Sequence, residues 1–286
     1  MNQRTRVAAV RSVGASTVRK WHPGTTAGAV VRELRSTLQL CAGVRSKVRL
    51  SADVVLFRAL RMMRLPNEGR RRSVRLRDGT TITYRLNRGD IQSIREVFMD
   101  EAYRPPFDCR PDVVIDLGAN IGLTSLYWYR TLAPRLVIAV EPDPENARIA
   151  RINLGGIPAT VIEKAVGARD GTAKFQQTRT SNQGSLSRDG VGVDVVVASM
   201  ATVLAEVPLG LTVLVKVDIE GGEQDLFASN TEWLERIDGL VVEFHPDLVD
   251  YPGLVNILQQ TGFTYVPAGS RWPDSMDAFY RVASDD

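Results

Sequence analysis

The chain is poor in the residues that build metal centres and cross-links. Its 286 residues include two cysteines, Cys41 and Cys109, and two histidines, His22 and His245. None of the four stands at ligand spacing from another, which excludes a zinc module or disulfide scaffold and makes a reducing, cytoplasmic setting the simplest expectation. No apolar run approaches the roughly 20 residues of a transmembrane helix. Acids are missing from the start of the chain. Residues 1–72 carry 16 Lys/Arg against three acids (Glu33, Asp53, Glu68), a net of +13, whereas residues 73–286 carry 20 against 30, a net of −10. Lysine is missing from the end, Lys216 being the last. The dinucleotide fingerprint G-x-G-x-x-G is also missing.

What stands in its place is the stretch Asp112–Arg130, DVVIDLGANIGLTSLYWYR. Val113, Val114 and Ile115 suit a strand buried on both faces of a parallel sheet. Asp116 and the turn Gly118-Ala119-Asn120-Ile121-Gly122 follow, opening into an amphipathic helix whose first N–H groups lack partners. A strand, a glycine turn and a helix in that order form a nucleotide-cofactor site. The carboxylate two residues before the first glycine decides which nucleotide. It repels a pyrophosphate and attracts the amino group of a methionine moiety, so D-x-G-x-x-x-G favours S-adenosylmethionine (SAM) over NAD. Leu136–Val140 reads as the next strand and Glu141 ends it, placed to accept both ribose hydroxyls. NAD enzymes use the same device, so Glu141 does not discriminate between cofactors; Asp116 does.

Two regions are expected: a basic, largely helical arm over residues 1–72 and a catalytic domain over 73–286. Between Val30 and Leu65 apolar residues recur at helical spacing and predict two amphipathic helices ending near Pro66-Asn67-Glu68-Gly69. The arm either packs on the acidic domain, roofing the acceptor site near the strand carboxyl ends, or recruits an anionic partner. The segment before Glu33 is rich in Arg, Ser and Thr. That composition resembles a transit peptide, and it equally fits a disordered arm or an over-early start codon. Ser73–Arg77 and Thr80–Leu86 alternate around Asp78-Gly79, a short hairpin. Asp90 is placed to cap a helix running to about Tyr103, and Arg104-Pro105-Pro106-Phe107 reads as a plain turn.

Beyond Glu141 helices and strands keep alternating. Pro144–Leu154 reads as a helix and Thr160–Lys164 as a strand, with Lys164-Ala165-Val166-Gly167 as a turn bordering the adenine. Ala173–Gln177 and Val193–Val197 read as extra strands joined by a polar loop, Thr178–Gly192. Leu211–Val217 and Leu240–Phe244 are further buried strands. Phe263–Val266 and Ala278–Val282 close the chain as an antiparallel pair. The polar clusters sit at strand carboxyl ends, where doubly wound α/β sheets bind ligands.

The blocks VVIDLGANIG, AVEPDPENARIARINL, KAVG, VKVDIEGGEQDLF and VVEFHP together resemble the FkbM-type SAM-dependent methyltransferases, from about Ser73 to the C-terminus. The resemblance implies a class I methyltransferase (Rossmann-like) fold with a mostly parallel seven-stranded sheet. It implies O-methylation of a hydroxyl on a sugar, glycolipid or polyketide-type natural product, with S-adenosylhomocysteine (SAH) as by-product. The cofactor set it implies comprises Asp116, Gly118, Ala119, Asn120, Gly122, Glu141, Pro142, Lys164, Ala165 and Asp218. Lys164 stands where class I enzymes often place an acid beside the adenine.

Methyl transfer from SAM requires an aligned acceptor oxygen and the removal of one proton. His245 is the expected base, because an unperturbed imidazole titrates near pH 6.5. Asp218 and Glu243 end neighbouring strands and are expected to converge with it. Nothing in the spacing demands a metal, although Asp218, Glu243 and His245 are also a donor set for Mg, Mn or Zn. The expected partner is a small-molecule hydroxyl acceptor, and a homo-oligomer is left open. An RNA ribose methyltransferase would exploit the basic arm, but its Lys-Asp-Lys-Glu tetrad needs a lysine later than Lys216, so nucleic acid is not favoured. An NAD oxidoreductase leaves Asp116 without a role. A non-catalytic SAM-fold binding module would need neither His245 nor Asp218.

Overall fold

Five consecutive buried residues, Val113–Leu117, form the central strand, and the molecule is layered around it. A computed structural model describes residues 27–62, 69–177, 184–186, 190–266 and 276–281. The segment before Glu33 lies largely outside them, as do Val282 and most of the Thr178–Gly192 loop.

In chain order the elements begin with helices α1 (Ala27–Leu40) and α2 (Gly43–Met62), strands β1 (Arg71–Arg75) and β2 (Thr81–Arg85), and helix α3 (Arg88–Phe98). Then come β3 (Val113–Leu117), α4 (Leu123–Leu132), β4 (Leu136–Val140), α5 (Pro144–Leu154) and β5 (Ala159–Ile162). Strands β6 (Ala165–Gly167), β7 (Gly171–Gln177), β8 (Gly184–Leu186) and β9 (Val193–Ser199) precede α6 (Met200–Leu204) and β10 (Val213–Val217). The chain ends through α7 (Glu223–Ala228), β11 (Gly239–Glu243), α8 (Tyr251–Gln260), β12 (Thr264–Val266) and β13 (Met276–Tyr280).

The main sheet has seven strands in the order β12-β13-β11-β10-β3-β4-β5. Strands β11, β10, β3, β4 and β5 run parallel, while β13 is antiparallel to both β11 and β12. From β3 the chain builds outward to β5, then returns to build from β10 on the other side. The topological switch point therefore lies at the carboxyl ends of β3 and β10, where open α/β sheets take ligands. The sheet is apolar on both faces because both are covered. Val114 packs towards α3, α4 and the hairpin, while Val113, Ile115 and Leu117 pack towards α6, α7 and α8. Each such buried side chain contributes roughly 1.5–3 kcal/mol.

The hairpin forms where its turn predicts, with Val74 opposite Ile82 and Ser73 opposite Thr83. Its first strand begins at Arg71, so β1 straddles the expected boundary after residue 72. Helix α3 is capped by Asn87, whose side chain accepts from the Asp90 N–H, and not by Asp90. Asp90 instead takes a two-pronged ion pair from buried Arg85, at 3.0 and 2.8 Å. Among the described residues, the arm is anchored on the hairpin. Its helix α2 packs on β1, and Cys41, Leu50 and Val54 extend the cluster that holds Val74, Leu76, Ile82 and Tyr84. A buried Asp53 on α2 accepts a 2.7 Å hydrogen bond from the Tyr84 hydroxyl and fixes the register of that docking.

A second sheet, in the order β6-β9-β7-β8, corrects two expectations. Ala165–Gly167 is a strand parallel to β9, not a turn. Within the loop after β7, Gly184–Leu186 pairs antiparallel with β7.

Candidate active site

The glycine turn after β3 adopts left-handed backbone at Gly118 (φ 75°), Asn120 (φ 50°) and Gly122 (φ 78°). Its glycines answer to the protein's own backbone. A Cβ on Gly118 would stand 1.8 Å from the Asp218 carbonyl oxygen, so the tips of β3 and β10 can meet only through glycine there. A Cβ on Gly122 would press on Ala150 of α5 at 3.2 Å. The N–H groups of Gly118 and Ala119 both donate to the Val140 carbonyl, at 3.0 Å. Sequence reasoning reserved these glycines for a ligand; the structure shows them first closing the sheet tips on one another.

Glu141 is held in that closure. Its Oε2 accepts from the Asn120 N–H at 2.8 Å, and its Oε1 accepts from the Asp143 N–H at 2.9 Å and the Asn146 amide at 3.3 Å. A carboxylate has about four lone-pair sites. Three are occupied, leaving room for one ribose hydroxyl and not the expected two unless a protein bond yields. Burial pushes the Glu141 carboxyl up, partly offset by the Asp143 and Asn120 N–H groups, to about 7. Asn120 also donates from its side chain to Ser93 of α3 at 3.1 Å, while its buried Oδ1 has no hydrogen-bond partner.

Asp116 does not present an open carboxylate. It is fully buried, accepts from Ser125 at 2.7 Å and pairs with Lys216 Nζ at 3.1 Å. Lys216 is its register partner on β10 and is itself buried. The ammonium also donates to the carbonyls of Leu117 (3.3 Å) and Gly118 (3.0 Å) and lies 3.4 Å from Asp218 Oδ2. Burial alone would lower the Lys216 pKa, but the Asp116 and Asp218 carboxylates more than offset it and hold the group charged. The cation expected from a methionine moiety is supplied by this lysine, which sequence reasoning passed over. A buried lysine is expensive unless paired, and the alternation V-K-V within a strand of buried residues was the available signal.

At the carboxyl ends of β10 and β11 the Tyr103 hydroxyl lies 2.9 Å from Asp218 Oδ2 and 3.2 Å from Glu243 Oε2, joining the two acids. Tyr103 precedes the Arg104–Phe107 turn, and the indole N–H of buried Trp128 holds its carbonyl at 2.8 Å. Lys216 Nζ stands 5.0 Å from the centre of its ring. Burial and then the neighbouring Asp218 push the Glu243 carboxyl up. Glu96 of α3 is likewise raised by burial. Of this group only Asp218 and Glu243 were expected; Tyr103 and Glu96 lie in segments with no motif to mark them.

His245 is placed beside Asp218 but is not a free base. Its Nδ1 meets Glu223 Oε1 at 2.9 Å and its Nε2 meets Glu220 Oε2 at 3.2 Å. Burial would lower its pKa, but the hydrogen bonds to Glu220 and Glu223 outweigh that and push it to about 11. Both ring nitrogens are engaged by carboxylates, so His245 does not stand as the open, unpaired base that its sequence position suggests. Neither Asp218 nor Glu220 caps α7, whose N-cap is Gly222 with no side-chain bond. Among the described residues, Asp218, Glu220 and His245 bring ligand atoms within 4.8 Å of one another. The expected metal set named Glu243 in place of Glu220. Pro142 and Lys164 are half-buried at the tips of β4 and β5, and Ala165 is buried in β6.

A switch point with a glycine turn after β3 and an acid following β4 is a nucleotide-cofactor site, and the family match makes it that of a class I SAM-dependent methyltransferase. The sequence matches the methyltransferase FkbM domain over residues 116–265, more than half of the chain. It belongs to that family. A 31-O-demethyl-FK506 methyltransferase of Streptomyces tacrolimicus is 28% identical over 234 residues, covering 68% of this chain and 89% of its own. A hexuronic acid methyltransferase of Haloferax volcanii is 31% identical over 144 residues, 47% of this chain and 56% of its own. Among solved structures, a precorrin-6y C5,15-methyltransferase from Geobacter metallireducens covers 62% of this chain and 73% of its own, at 16% identity and a TM-score of 0.36. No helix among the described residues is long and apolar enough to cross a membrane.

Proposed function

We propose that the protein transfers the SAM methyl group to a hydroxyl of a sugar, glycolipid or polyketide-type acceptor. The observation that carries this reading is the acidic pair at the carboxyl ends of β10 and β11: Asp218 and Glu243, joined through the Tyr103 hydroxyl, with the Asp218 backbone against Gly118 of the glycine turn. O-methylation asks for little else. The acceptor oxygen attacks the methyl carbon as the carbon–sulfur bond breaks, the hydroxyl proton passes to a carboxylate, and SAH leaves. Glu243 is the base in this reading and Asp218 orients the acceptor hydroxyl. Tyr103 positions both and touches no reacting atom. General-base catalysis of this kind contributes roughly 10²–10⁴-fold. On the cofactor side, Glu141 takes a ribose hydroxyl and the Gly118–Gly122 turn, with Ala119 and Asn120, lines the methionine and ribose. Pro142, Lys164 and Ala165 flank the adenine, and Asp116 acts through Lys216. The names of the relatives support a hydroxyl acceptor: one carries 31-O-demethyl-FK506 in its name, the other a hexuronic acid.

The test is methyl transfer from isotopically labelled SAM by the full chain to a panel of uronic acid glycosides and hydroxylated macrolides, with products located by mass spectrometry. A methyl ether on any of them is the expected result. SAH binding with methylation of nitrogen alone would replace the O-transfer reading, and no SAH binding at all would remove the cofactor.

A further inference from the structure

His245, Glu220 and Asp218 have the form of a cation site, and one buried residue behind them makes the case. Glu223 is fully buried on the first turn of α7. It takes the Nδ1 side of the imidazole at 2.9 Å and keeps its Oε2 without a hydrogen-bond partner. A carboxylate that receives Nδ1–H fixes the ring tautomer and its orientation, the arrangement found behind metal-binding histidines. The other ring nitrogen is thereby aimed outward, at Glu220 Oε2, 3.2 Å away. Ligands at about 2.0–2.2 Å on adjacent positions of an octahedral ion stand roughly 3 Å apart, so this pair already has the spacing of two neighbouring ligands. Asp218 supplies the third atom, within 4.8 Å of the other two.

The surrounding charge points the same way. Asp218, Glu220, Glu223 and Glu243 gather at these two strand ends, where Lys216 Nζ lies 3.1 Å from Asp116 Oδ1 and 3.4 Å from Asp218 Oδ2. One ammonium shared between Asp116 and Asp218, and one imidazole between Glu220 and Glu223, thus face five carboxyl groups, Glu243 included.

The geometry points to a divalent cation site formed by Asp218, Glu220 and His245 Nε2, with Glu223 behind the imidazole, of a kind that takes Mn²⁺ or Mg²⁺. Two carboxylates and one imidazole suit such an oxygen-preferring ion and leave about three positions for water and an acceptor hydroxyl. The role of the ion, though not its binding, rests on the methyltransferase reading. It would hold the acceptor oxygen and ease loss of its proton beside Glu243.

Binding is tested without acceptor or SAM. The full chain, stripped with a chelator, is titrated with Mn²⁺ while electron paramagnetic resonance reports the free ion. SAH affinity is measured on the same samples by calorimetry. One saturable Mn²⁺ per chain is expected, displaced by Mg²⁺ and weakened at least tenfold by Glu220→Gln and by His245→Gln. Glu223→Gln should weaken it roughly 10–100-fold through the ring it orients. Retained SAH binding shows that each variant folds. Absence of saturable Mn²⁺ binding, or stoichiometric binding that survives both ligand substitutions, overturns the site. Loss of SAH binding by the unsubstituted protein, with Mn²⁺ still bound, overturns the methyltransferase reading and leaves the cation site standing.

Discussion

Lys216 Nζ lies 3.1 Å from Asp116 Oδ1, and the two residues are direct neighbours on adjacent parallel strands, both buried. The carboxylate that the motif reserves for a cofactor is thus answered from within the sheet. The same ammonium reaches 3.4 Å to Asp218 and accounts for the carbonyls of Leu117 and Gly118. One lysine therefore ties the cofactor strand to the acceptor strand.

Breaking that tie should be costly. Lys216→Met leaves Asp116 charged and unpaired in the sheet, so a loss of about 3–5 kcal/mol is expected from chemical denaturation. Asp116→Asn combined with Lys216→Met should recover part of it, because no buried charge is then stranded. A single substitution costing under ~1 kcal/mol would mean that the pair is hydrated and not buried.

Gly118→Ala forces a Cβ into the Asp218 carbonyl at a left-handed backbone position. Strain of this kind and overpacking each cost roughly 1–3 kcal/mol, so a fall of several kcal/mol in stability is expected. Gly156→Ala meets nothing within 4 Å and serves as the control, expected within about 0.5 kcal/mol of the parent. Equal effects at the two glycines would contradict the contact between the strand tips.

Cofactor affinity should depend on pH through Glu141, whose carboxyl titrates near 7 in the free protein. The folded value lies above the unfolded one, so ionisation in the folded state is disfavoured. Stability contributed by this group is lost as pH rises from the ordinary carboxylate range to about 7. Ribose binding to the carboxylate runs the other way and favours the ionised form. SAH should therefore bind about tenfold more weakly for each pH unit below 7. Glu141→Gln should flatten that slope. Equal dissociation constants at pH 6 and pH 8 in the parent would remove Glu141 from ribose binding.

Substitution of Glu243 by Gln should lower turnover by roughly two to four orders of magnitude while leaving SAH affinity within about twofold. Tyr103→Phe removes the hydroxyl between two acids without touching a reacting atom. Its effect should appear as a shifted pH profile with a smaller loss of kcat. Unchanged turnover in Glu243→Gln would move the base elsewhere.

Docking of the arm can be probed at Asp53, which accepts the buried Tyr84 hydroxyl. Asp53→Ala leaves that hydroxyl unpaired and should cost roughly 1–3 kcal/mol. Tyr84→Phe combined with Asp53→Ala should cost less than the sum of the two single changes, as measured by a double-mutant cycle.

The order of elements could be read from the chain because each rests on local signals. Val113–Ile115, Leu136–Val140 and Val213–Val217 are apolar runs of strand length, and Asp78-Gly79 has the chemistry of a hairpin turn. The switch point followed from the glycine turn, and Glu141, Asp218, Glu243 and His245 were singled out because each lies at or just beyond a strand end. What those side chains touch was not legible. That Lys216 faces Asp116 depends on the register between two strands 100 positions apart. That Tyr103 reaches both Asp218 and Glu243 depends on a non-repetitive segment held by Trp128. His245 reads as a base in isolation, because an unpaired imidazole titrates near neutrality. Two glutamates brought against it by α7 and its leading turn change its proton affinity, and only packing brings them there. Residue types and their periodicity determined which strands exist and where their ends lie. The pairing of charges at those ends was decided by register and burial, since a charge removed from water is stable only beside a partner the fold supplies.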